Sequence, residues 1–265
     1  MKFSIVANPK QPKIKKIFTK VIGFLEDFDL EEESAKIVGL KGVPFGKLEG
    51  EMIISLGGDG TLLYILDNLN KPVFGINCGG VGFLTEIEHS DNLFEAFKRL
   101  EKKSYTLQKL NRIDAFINDL RVGTALNEVV LHSSRVAKIQ GFEIEIDGSI
   151  ADSFRGDGLI IATPTGSTSY AMSVGSPILY PTMEAHIVVP MAAYRIGARP
   201  LVVPSRYSIN ARITGHPEAV MVIDGKDEIM ITKEDKLEFK TSKEPVELVR
   251  FRDNFFDKVR NKLRL

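Results

Sequence analysis

The stretch Met52-Ile53-Ile54-Ser55-Leu56-Gly57-Gly58-Asp59-Gly60-Thr61 joins two patterns that define the first part of the chain. Residues typical of a buried strand run into a glycine-rich turn with one carboxylate, and apolar residues at helical spacing follow from Leu62. This predicts a strand, a tight turn and the start of a helix. Glycines let backbone N–H groups approach a ligand, and a helix N-terminus adds a positive partial charge. We therefore interpret the turn as a phosphate-binding element.

Asp59 is the unusual residue of this turn. A carboxylate repels phosphate unless it binds a cation or takes a proton from an attacking hydroxyl. Phosphoryl transfer requires a group of that kind. Short Gly-Gly-Asp-Gly runs also form ordinary strand–helix turns, so the turn alone leaves a purely structural explanation open.

Alternating apolar strands and amphipathic helices surround the turn. Residues 2–7 predict a strand, residues 14–25 a helix, residues 36–38 a second strand and residues 72–76 another strand. The acidic run at residues 31–33 is interpreted as a solvated patch. Together these patterns predict a Rossmann-like parallel sheet covered by helices, in which binding sites lie at the carboxyl ends of the strands.

A second glycine-rich loop, residues 77–84, follows the strand at residues 72–76 and is expected at the same edge of the sheet. Its glycines cost conformational entropy that a plain connection need not spend. We interpret it as a ligand loop, with a simple turn as the alternative. Cys78 has no histidine nearby in sequence, so we interpret it as a packing residue.

The composition disfavours several classes of protein. The chain of 265 residues has 35 basic and 35 acidic side chains, so no overall field attracts nucleic acid or an anionic membrane. No apolar run approaches the roughly 20 residues of a membrane span, and the N-terminus predicts a strand instead of a signal peptide. The single cysteine excludes an internal disulfide and suits a reducing compartment. We predict a cytoplasmic protein.

After about residue 101, short alternating strands replace the helices. Asn118-Asp119 and Asp147-Gly148 are hairpin-turn signals between such strands. Further strands are predicted at residues 187–189, 201–203, 208–213, 220–223 and 237–239. The predicted organisation is an α/β domain at residues 1–100, an all-β sandwich at residues 101–245 and a C-terminal tail at residues 246–265. The tail has the apolar spacing of an amphipathic helix.

One segment of the β domain, residues 154–173, does not have the pattern of a simple strand. It combines a Gly-Asp-Gly, a buried strand and a turn with six hydroxyl groups between Thr163 and Tyr170. Hydroxyls and N–H groups at a helix start suit a base, a ribose or a phosphate, whereas helix capping needs only one such residue. Asn127-Glu128 also offers donor and acceptor groups to a nucleoside, although alone it is typical of a strand edge.

A serine hydrolase is excluded on two grounds. The chain has no Gly-x-Ser-x-Gly motif, and its four histidines lack partners at characteristic spacings.

The order of these motifs resembles that of the NAD kinases. The matching motifs are Gly57-Gly58-Asp59-Gly60-Thr61, Gly75-Ile76-Asn77 with Gly79 and residues 81–85, Asn127-Glu128, residues 156–158 with residues 163–170, and Asp224-Gly225. The resemblance covers nearly the whole chain, and residues 163–170 are its most specific part. The first motif also occurs in lipid kinases of the diacylglycerol type and in phosphofructokinases.

The resemblance implies an N-terminal α/β domain of the GGDGT kinase type, a β-sandwich, a tail that returns to the first domain, and a homodimer or homotetramer. It also implies transfer of a phosphoryl group from ATP or polyphosphate, with Mg²⁺, to the adenosine-ribose 2′-hydroxyl of NAD. Asp59 would act on that hydroxyl as the base. The candidate binding residues in these motifs and beside them are Gly57, Gly58, Gly60, Thr61, Asn77, Phe83, Asn127, Glu128, Arg155, Asp157, Thr165, Thr168, Ser169, Tyr170, Ser173 and Asp224. No residue is assigned as a metal ligand.

Two other classes stay open at this point. A different lipid or sugar kinase of the GGDGT type would share only the first motif, and the neutral charge and ordinary composition disfavour a lipid kinase. A non-catalytic NAD(P)-binding regulator is disfavoured by Asp59, because binding alone has no use for an acid among phosphate-facing glycines. Arg195 and Arg199 are interpreted as surface or subunit-contact residues, with phosphate contact as the alternative.

Overall fold

The computed structural model describes residues 1–80, 82–135, 137–195, 197–226 and 228–263. These residues form two compact units. The first unit comprises Met1–Lys109 and Val246–Leu265, and the second unit comprises Leu110–Pro245. The chain therefore leaves the first unit, builds the second, and returns. Val81 of the second glycine loop lies outside the described residues.

Strands dominate the second unit, and helices and strands alternate in the first. In chain order the strands are β1 (Phe3–Ala7), β2 (Phe28–Leu30), β3 (Met52–Gly57), β4 (Val73–Asn77), β5 (Ile87–Glu88), β6 (Thr106–Leu110), β7 (Ile113–Ile117), β8 (Leu120–Ala125), β9 (Glu128–Ser133), β10 (Gln140–Ile146), β11 (Ser149–Gly156), β12 (Gly158–Ala162), β13 (Ala185–Met191), β14 (Leu201–Pro204), β15 (Ile209–Ile213), β16 (Glu218–Ile223), β17 (Glu228–Thr232), β18 (Leu237–Thr241) and β19 (Val246–Arg250). The α-helices are α1 (Ile14–Ile22), α2 (Glu32–Val38), α3 (Asp59–Asn68), α4 (Leu93–Glu101), α5 (Tyr170–Ser173) and α6 (Phe255–Leu263), and the 3-10 helices are Phe45–Lys47 and Thr165–Thr168.

The first unit contains the predicted parallel sheet, with the strand order β2-β1-β3-β4-β19-β6 and with β5 beside β4. Strands β1, β3 and β4 are buried along their whole length, as continuous apolar strands are when helices cover both faces of a sheet. The parallel register pairs Gly57 with Asn77. The two glycine-rich loops therefore leave the sheet from the carboxyl ends of neighbouring strands, as expected.

The predicted strand at residues 36–38 is wrong, because these residues lie in helix α2. The Glu31 carboxylate accepts hydrogen bonds from the backbone N–H groups of Glu33 and Ser34, and so caps the helix. Gly39 ends the helix in the left-handed conformation, with φ of 73°. The acidic run at residues 31–33 is thus the start of a helix, where negative charge is favourable. The second strand of the sheet is the short β2.

The second unit is the predicted β-sandwich. One sheet has the order β11-β10-β15-β18-β7-β8, and the other has the order β14-β13-β12-β9-β16-β17. A single apolar cluster contains residues from both sheets, including Phe142, Leu159 and Phe239. The predicted hairpins at Asn118-Asp119 and Asp147-Gly148 join β7 to β8 and β10 to β11, with positive φ angles at all four turn residues.

The C-terminal segment belongs to the first unit. Strand β19 pairs in parallel with β4, and β6 lies beyond it in the same sheet, so the first unit extends past residue 100 to Lys109. Helix α6 buries Phe255 on its apolar side. Over the described ranges, we find no helix that combines the length and the apolar character needed to cross a membrane.

Candidate active site

Asp59 is the first residue of α3 and directly follows the turn at the end of β3. Its carboxylate accepts backbone hydrogen bonds from three successive residues of the loop after β4. Phe83 N–H donates to Oδ2 at 2.7 Å, and the N–H groups of Leu84 and Thr85 donate to Oδ1 at 3.0 and 3.4 Å. The second glycine-rich loop thus fixes the Asp59 carboxylate, which belongs to the first glycine-rich turn.

This arrangement leaves Oδ2 of Asp59 able to accept another hydrogen bond. An ionised carboxylate offers about four acceptor positions, two on each oxygen. Among the described residues, Oδ1 of Asp59 accepts two hydrogen bonds and Oδ2 accepts one. Asp59 is only half-buried. A hydroxyl group that approaches Oδ2 can therefore donate to a carboxylate that is already oriented, as general-base catalysis requires.

The residues of the first turn have different environments. Gly57 is buried, and a Cβ atom there would lie 2.2 Å from Oγ1 of Thr61, so this pair packs together. Gly58 is half-buried and Gly60 is exposed, and both lie at the N-terminal end of α3. Gly58 and Gly60 are therefore open to a phosphate group, whereas Gly57 is buried against the half-buried Thr61.

Asn77 shapes the second loop. It is fully buried, its Nδ2 donates to Gly80 O at 3.0 Å and to Glu88 Oε1 at 3.2 Å, and its Oδ1 accepts from Gly79 N–H. The Asn77 amide is thus engaged within the protein. Burial raises the pKa of the neighbouring Cys78 thiol to about 12, which suits a packing residue and opposes a thiolate nucleophile.

Three cations of the C-terminal segment, which the sequence reasoning missed, contact the loop that holds Asp59. Arg250 donates to Leu84 O at 2.8 Å, Lys258 donates to Phe83 O at 3.0 Å, and Lys262 donates to Gly82 O. The available signal was the spacing of Lys258 and Lys262, which places both on one side of an amphipathic helix.

Asp224 organises the candidate site of the second unit. Like Asp59 in the first unit, it accepts hydrogen bonds from three successive backbone N–H groups. Its carboxylate accepts hydrogen bonds from the N–H groups of Leu126, Asn127 and Glu128 at 2.7, 2.9 and 3.0 Å. Asp224 itself has a left-handed backbone, with φ of 48°. The predicted residues Asn127, Glu128 and Asp224 are thereby brought together.

Glu128 is buried, with 5% of its surface exposed, and it receives two hydrogen bonds from the hydroxyl-rich segment. Ser169 Oγ donates to Oε1 at 3.0 Å, and the Tyr170 N–H also donates to the carboxylate. Oε2 has no partner among the described residues. Glu128 and Tyr170 line a cavity of about 480 Å³ together with His132 and Gly225. A buried acceptor without a partner beside a cavity is the feature expected of a ligand contact.

The other predicted residues of the second unit have varied positions. Oγ1 of Thr165 is buried without a partner among the described residues, whereas the hydroxyls of Thr168 and Ser173 donate to carbonyl groups three residues earlier. Arg155 and Asp157 are exposed. Arg155 lines a separate surface pocket with Arg195, so the structure does not bring it into the cavity of Glu128.

Burial raises the pKa of Glu128 to about 7, with a smaller contribution from the Asp224 carboxylate. The ordinary value is 4.5, so between these two pH values the folded protein binds more protons than the unfolded chain. The free energy of unfolding therefore falls as the pH rises through this window. Above it, the full cost of burying the ionised Glu128 carboxylate is present.

Glu128→Gln removes this penalty and preserves the shape of the side chain. We expect it to raise the free energy of unfolding by about 2 kcal/mol more at about pH 8 than at about pH 5, relative to the unmodified protein. Urea denaturation at both pH values measures the effect, with exposed Glu218→Gln as the control. Equal gains at both pH values would contradict the burial argument.

Together, the strand–turn–helix with one oriented carboxylate and the separate β-sandwich indicate a kinase of the GGDGT type. Two family models match the chain: the ATP-NAD kinase N-terminal domain over residues 41–105, and the ATP-NAD kinase C-terminal domain over residues 126–251. The NAD kinase of Methanosarcina barkeri is 40% identical over 237 residues, which are 87% of this chain and 86% of that protein. The NAD kinase of Thermoplasma volcanium is 37% identical over 234 residues, which are 88% of this chain and 86% of that protein.

Solved structures agree with these relatives. An NAD kinase from Archaeoglobus fulgidus in complex with ATP superposes with a TM-score of 0.79 at 29% identity, covering 100% of this chain and 99% of that one. Yeast NADH kinase complexed with NADH has the same fold, with a TM-score of 0.90 at 20% identity over 100% of this chain and 88% of that one. The chain belongs to the NAD kinase family, and it is a phosphotransferase.

Proposed function

We propose that the chain transfers the γ-phosphoryl group of ATP to the 2′-hydroxyl of the adenosine ribose of NAD, with Asp59 as the general base. The observation that carries this proposal is the Asp59 carboxylate, which three backbone N–H groups orient at the N-terminus of α3. ATP as the donor is supported by the Archaeoglobus fulgidus relative, whose structure is a complex with ATP.

The proposed step uses the acceptor position on Oδ2 of Asp59. The ribose hydroxyl donates its hydrogen to Oδ2, its oxygen attacks the γ-phosphorus, and the bond from that phosphorus to the bridging oxygen breaks, which releases ADP. The proton ends on the carboxylate and passes to solvent. A carboxylate fixed within hydrogen-bond reach lowers the entropic cost of this step. N–H groups at Gly58 and Gly60 at the start of α3 stabilise the phosphate charge.

In the second unit, we assign the cavity beside Glu128 to part of the dinucleotide. Oε2 of Glu128 and Oγ1 of Thr165 are buried acceptors without partners among the described residues, and a sugar hydroxyl or an amide would supply the missing donors. Ser169 and Tyr170 hold Glu128 in place. The other candidate residues of this unit for the dinucleotide stay Asn127, Asp157, Thr168, Ser173 and Asp224. Phe83 of the first unit and Arg155, which lines the separate pocket, stay predictions from the family resemblance.

We assign Mg²⁺ to the phosphates of the donor. The part of the chain that the structure describes contains no group of three His, Cys, Asp or Glu side chains able to hold a metal ion. Mg²⁺ commonly keeps several waters and binds substrate phosphates, which needs no such group. From the family resemblance we also propose a homodimer or homotetramer, and from the single cysteine a cytoplasmic location.

Purified protein given NAD, Mg²⁺ and ATP is expected to form NADP, measured with an NADP-specific dehydrogenase. Parallel reactions with polyphosphate determine whether the donor site accepts it, and parallel reactions with NADH test the acceptor. Binding of NAD without turnover, in a folded protein, would favour the non-catalytic regulator. Absence of NAD binding would reopen the lipid and sugar kinases.

A further inference from the structure

We propose that Lys258 of helix α6 is a positioning residue for Asp59, because it fixes the backbone of the loop that orients the catalytic carboxylate. The inference rests on the proposed role of Asp59 as the general base. It assigns to the C-terminal helix a role that acts through the backbone of the loop.

The peptide groups of residues 82–85 are held through both of their polar atoms. Their N–H groups at Phe83, Leu84 and Thr85 donate to Asp59. Their carbonyl groups accept from cations of the C-terminal segment. Lys258 Nζ donates hydrogen bonds to the carbonyl oxygens of Phe83 and Thr85 at 3.0 and 2.5 Å. The peptide group between Phe83 and Leu84 thus connects Lys258 directly to the carboxylate, because its oxygen accepts from Lys258 and its N–H donates to Asp59.

The burial of Lys258 indicates a specific need for its amine. Only 8% of this residue is exposed, although lysine is among the residues least often buried. Removing an ammonium group from water is costly, and the apolar side of α6 already provides Phe255 as an anchor. The amine instead supplies hydrogen-bond donors for the carbonyl groups of Phe83 and Thr85.

The charge of Lys258 is set by its surroundings within the first unit. Burial lowers the pKa of the Lys258 amine to about 7, helped by the nearby cations Arg250 and Lys262 and opposed by Glu86 and Asp59. Glu86 pairs with Arg250 at 3.2 Å, and Glu88 pairs with Lys262 at 3.0 Å. The protonated amine makes stronger, charge-assisted hydrogen bonds to carbonyl groups than the neutral amine does. We therefore expect the loop to be held most firmly below about pH 7.

Steady-state kinetics of two variants test the proposal. Lys258→Met is expected to lower kcat about 10-fold or more while the KM values for NAD and ATP change less than about 3-fold, because misplacing a base affects the step and not substrate binding. Lys258→Arg is expected to recover most of kcat and to lose any decline of kcat above about pH 7, because guanidinium stays charged. Arg260→Met is the matched control, since Arg260 is exposed on the same helix and pairs with Asp257.

Unchanged kcat in a folded Lys258→Met variant would overturn the proposal, and so would a loss confined to KM. Amide hydrogen exchange of residues 82–85 in the unmodified protein provides a readout independent of activity and of variant folding. Protection that weakens between about pH 6 and about pH 8, after correction for intrinsic exchange, supports the proposal, and constant protection contradicts it. If the unmodified protein forms no NADP, the proposed function fails, while the exchange experiment still reports on the lysine and the loop.

Discussion

Replacement of Asp59 by asparagine is expected to lower kcat for NADP formation at least about 100-fold, with a smaller change in NAD affinity. The amide cannot accept the ribose proton. It also places an NH₂ group where a carboxylate oxygen accepted a backbone hydrogen bond from the loop at residues 83–85, so one donor faces another. Steady-state kinetics and isothermal titration with NAD measure the two quantities.

The outcome separates a base from a structural residue. A base affects mainly kcat, whereas a residue that only shapes the loop or holds a metal affects binding and turnover equally. Asp67→Asn, near the other end of α3, is the matched control and is expected to keep kcat within about 2-fold. Circular dichroism of both variants verifies folding. Equal losses of NAD affinity and kcat in Asp59→Asn would remove the general-base assignment.

The sequence was sufficient for the parts of the fold that depend on local patterns. The apolar run before Gly57, the helical spacing after Asp59 and the turn signal at Asp147-Gly148 each depend on neighbours in the chain, and the structure has the strand, helix and hairpin they predict. The prediction failed at residues 36–38, where the β-branched Ile37 and Val38 suggested a strand. Capping by Glu31 outweighs that preference.

The sequence could not show which backbone groups the two aspartates bind. Asp59 contacts Phe83, which is 24 residues away, and Asp224 contacts Leu126, which is 98 residues away. Such partners follow from the sheet register and the closing of the sandwich, not from local spacing. For the same reason strand β19, which pairs with β4, was predicted only as a tail.

The contacts change the interpretation of several motif residues. Asn77 and Thr61 stay predicted ligand contacts, and in the structure Asn77 also hydrogen-bonds within its own loop while Thr61 packs against Gly57. These residues support the shape of the site. Glu128 differs, because one of its buried oxygens has no partner among the described residues. The contacts therefore show which motif residues hold the backbone, whereas ligand binding by Glu128 stays a prediction.

Asp224→Asn is expected to lower the free energy of unfolding of the second unit by about 2 kcal/mol and to weaken NAD binding. Asparagine tolerates the left-handed backbone of this position, so the main chain is not strained. However, one carboxylate oxygen accepts from Leu126 N–H and the other from the N–H groups of Asn127 and Glu128. In either orientation of the asparagine side chain, its NH₂ group therefore faces at least one of these backbone N–H groups. Urea denaturation and isothermal titration with NAD measure the two effects.

Asp119→Asn is the matched control for this prediction, because Asp119 also has a left-handed backbone, with φ of 67°, but is exposed at the β7–β8 hairpin. Its free energy of unfolding is expected to stay within about 0.5 kcal/mol of the unmodified protein. Removing the Asp224 charge also lowers the pKa of Glu128, because the two carboxylates repel each other. The pH dependence of stability in Asp224→Asn should therefore shift toward lower pH. Stability equal to that of Asp119→Asn would show that the three backbone contacts of Asp224 do not hold the site.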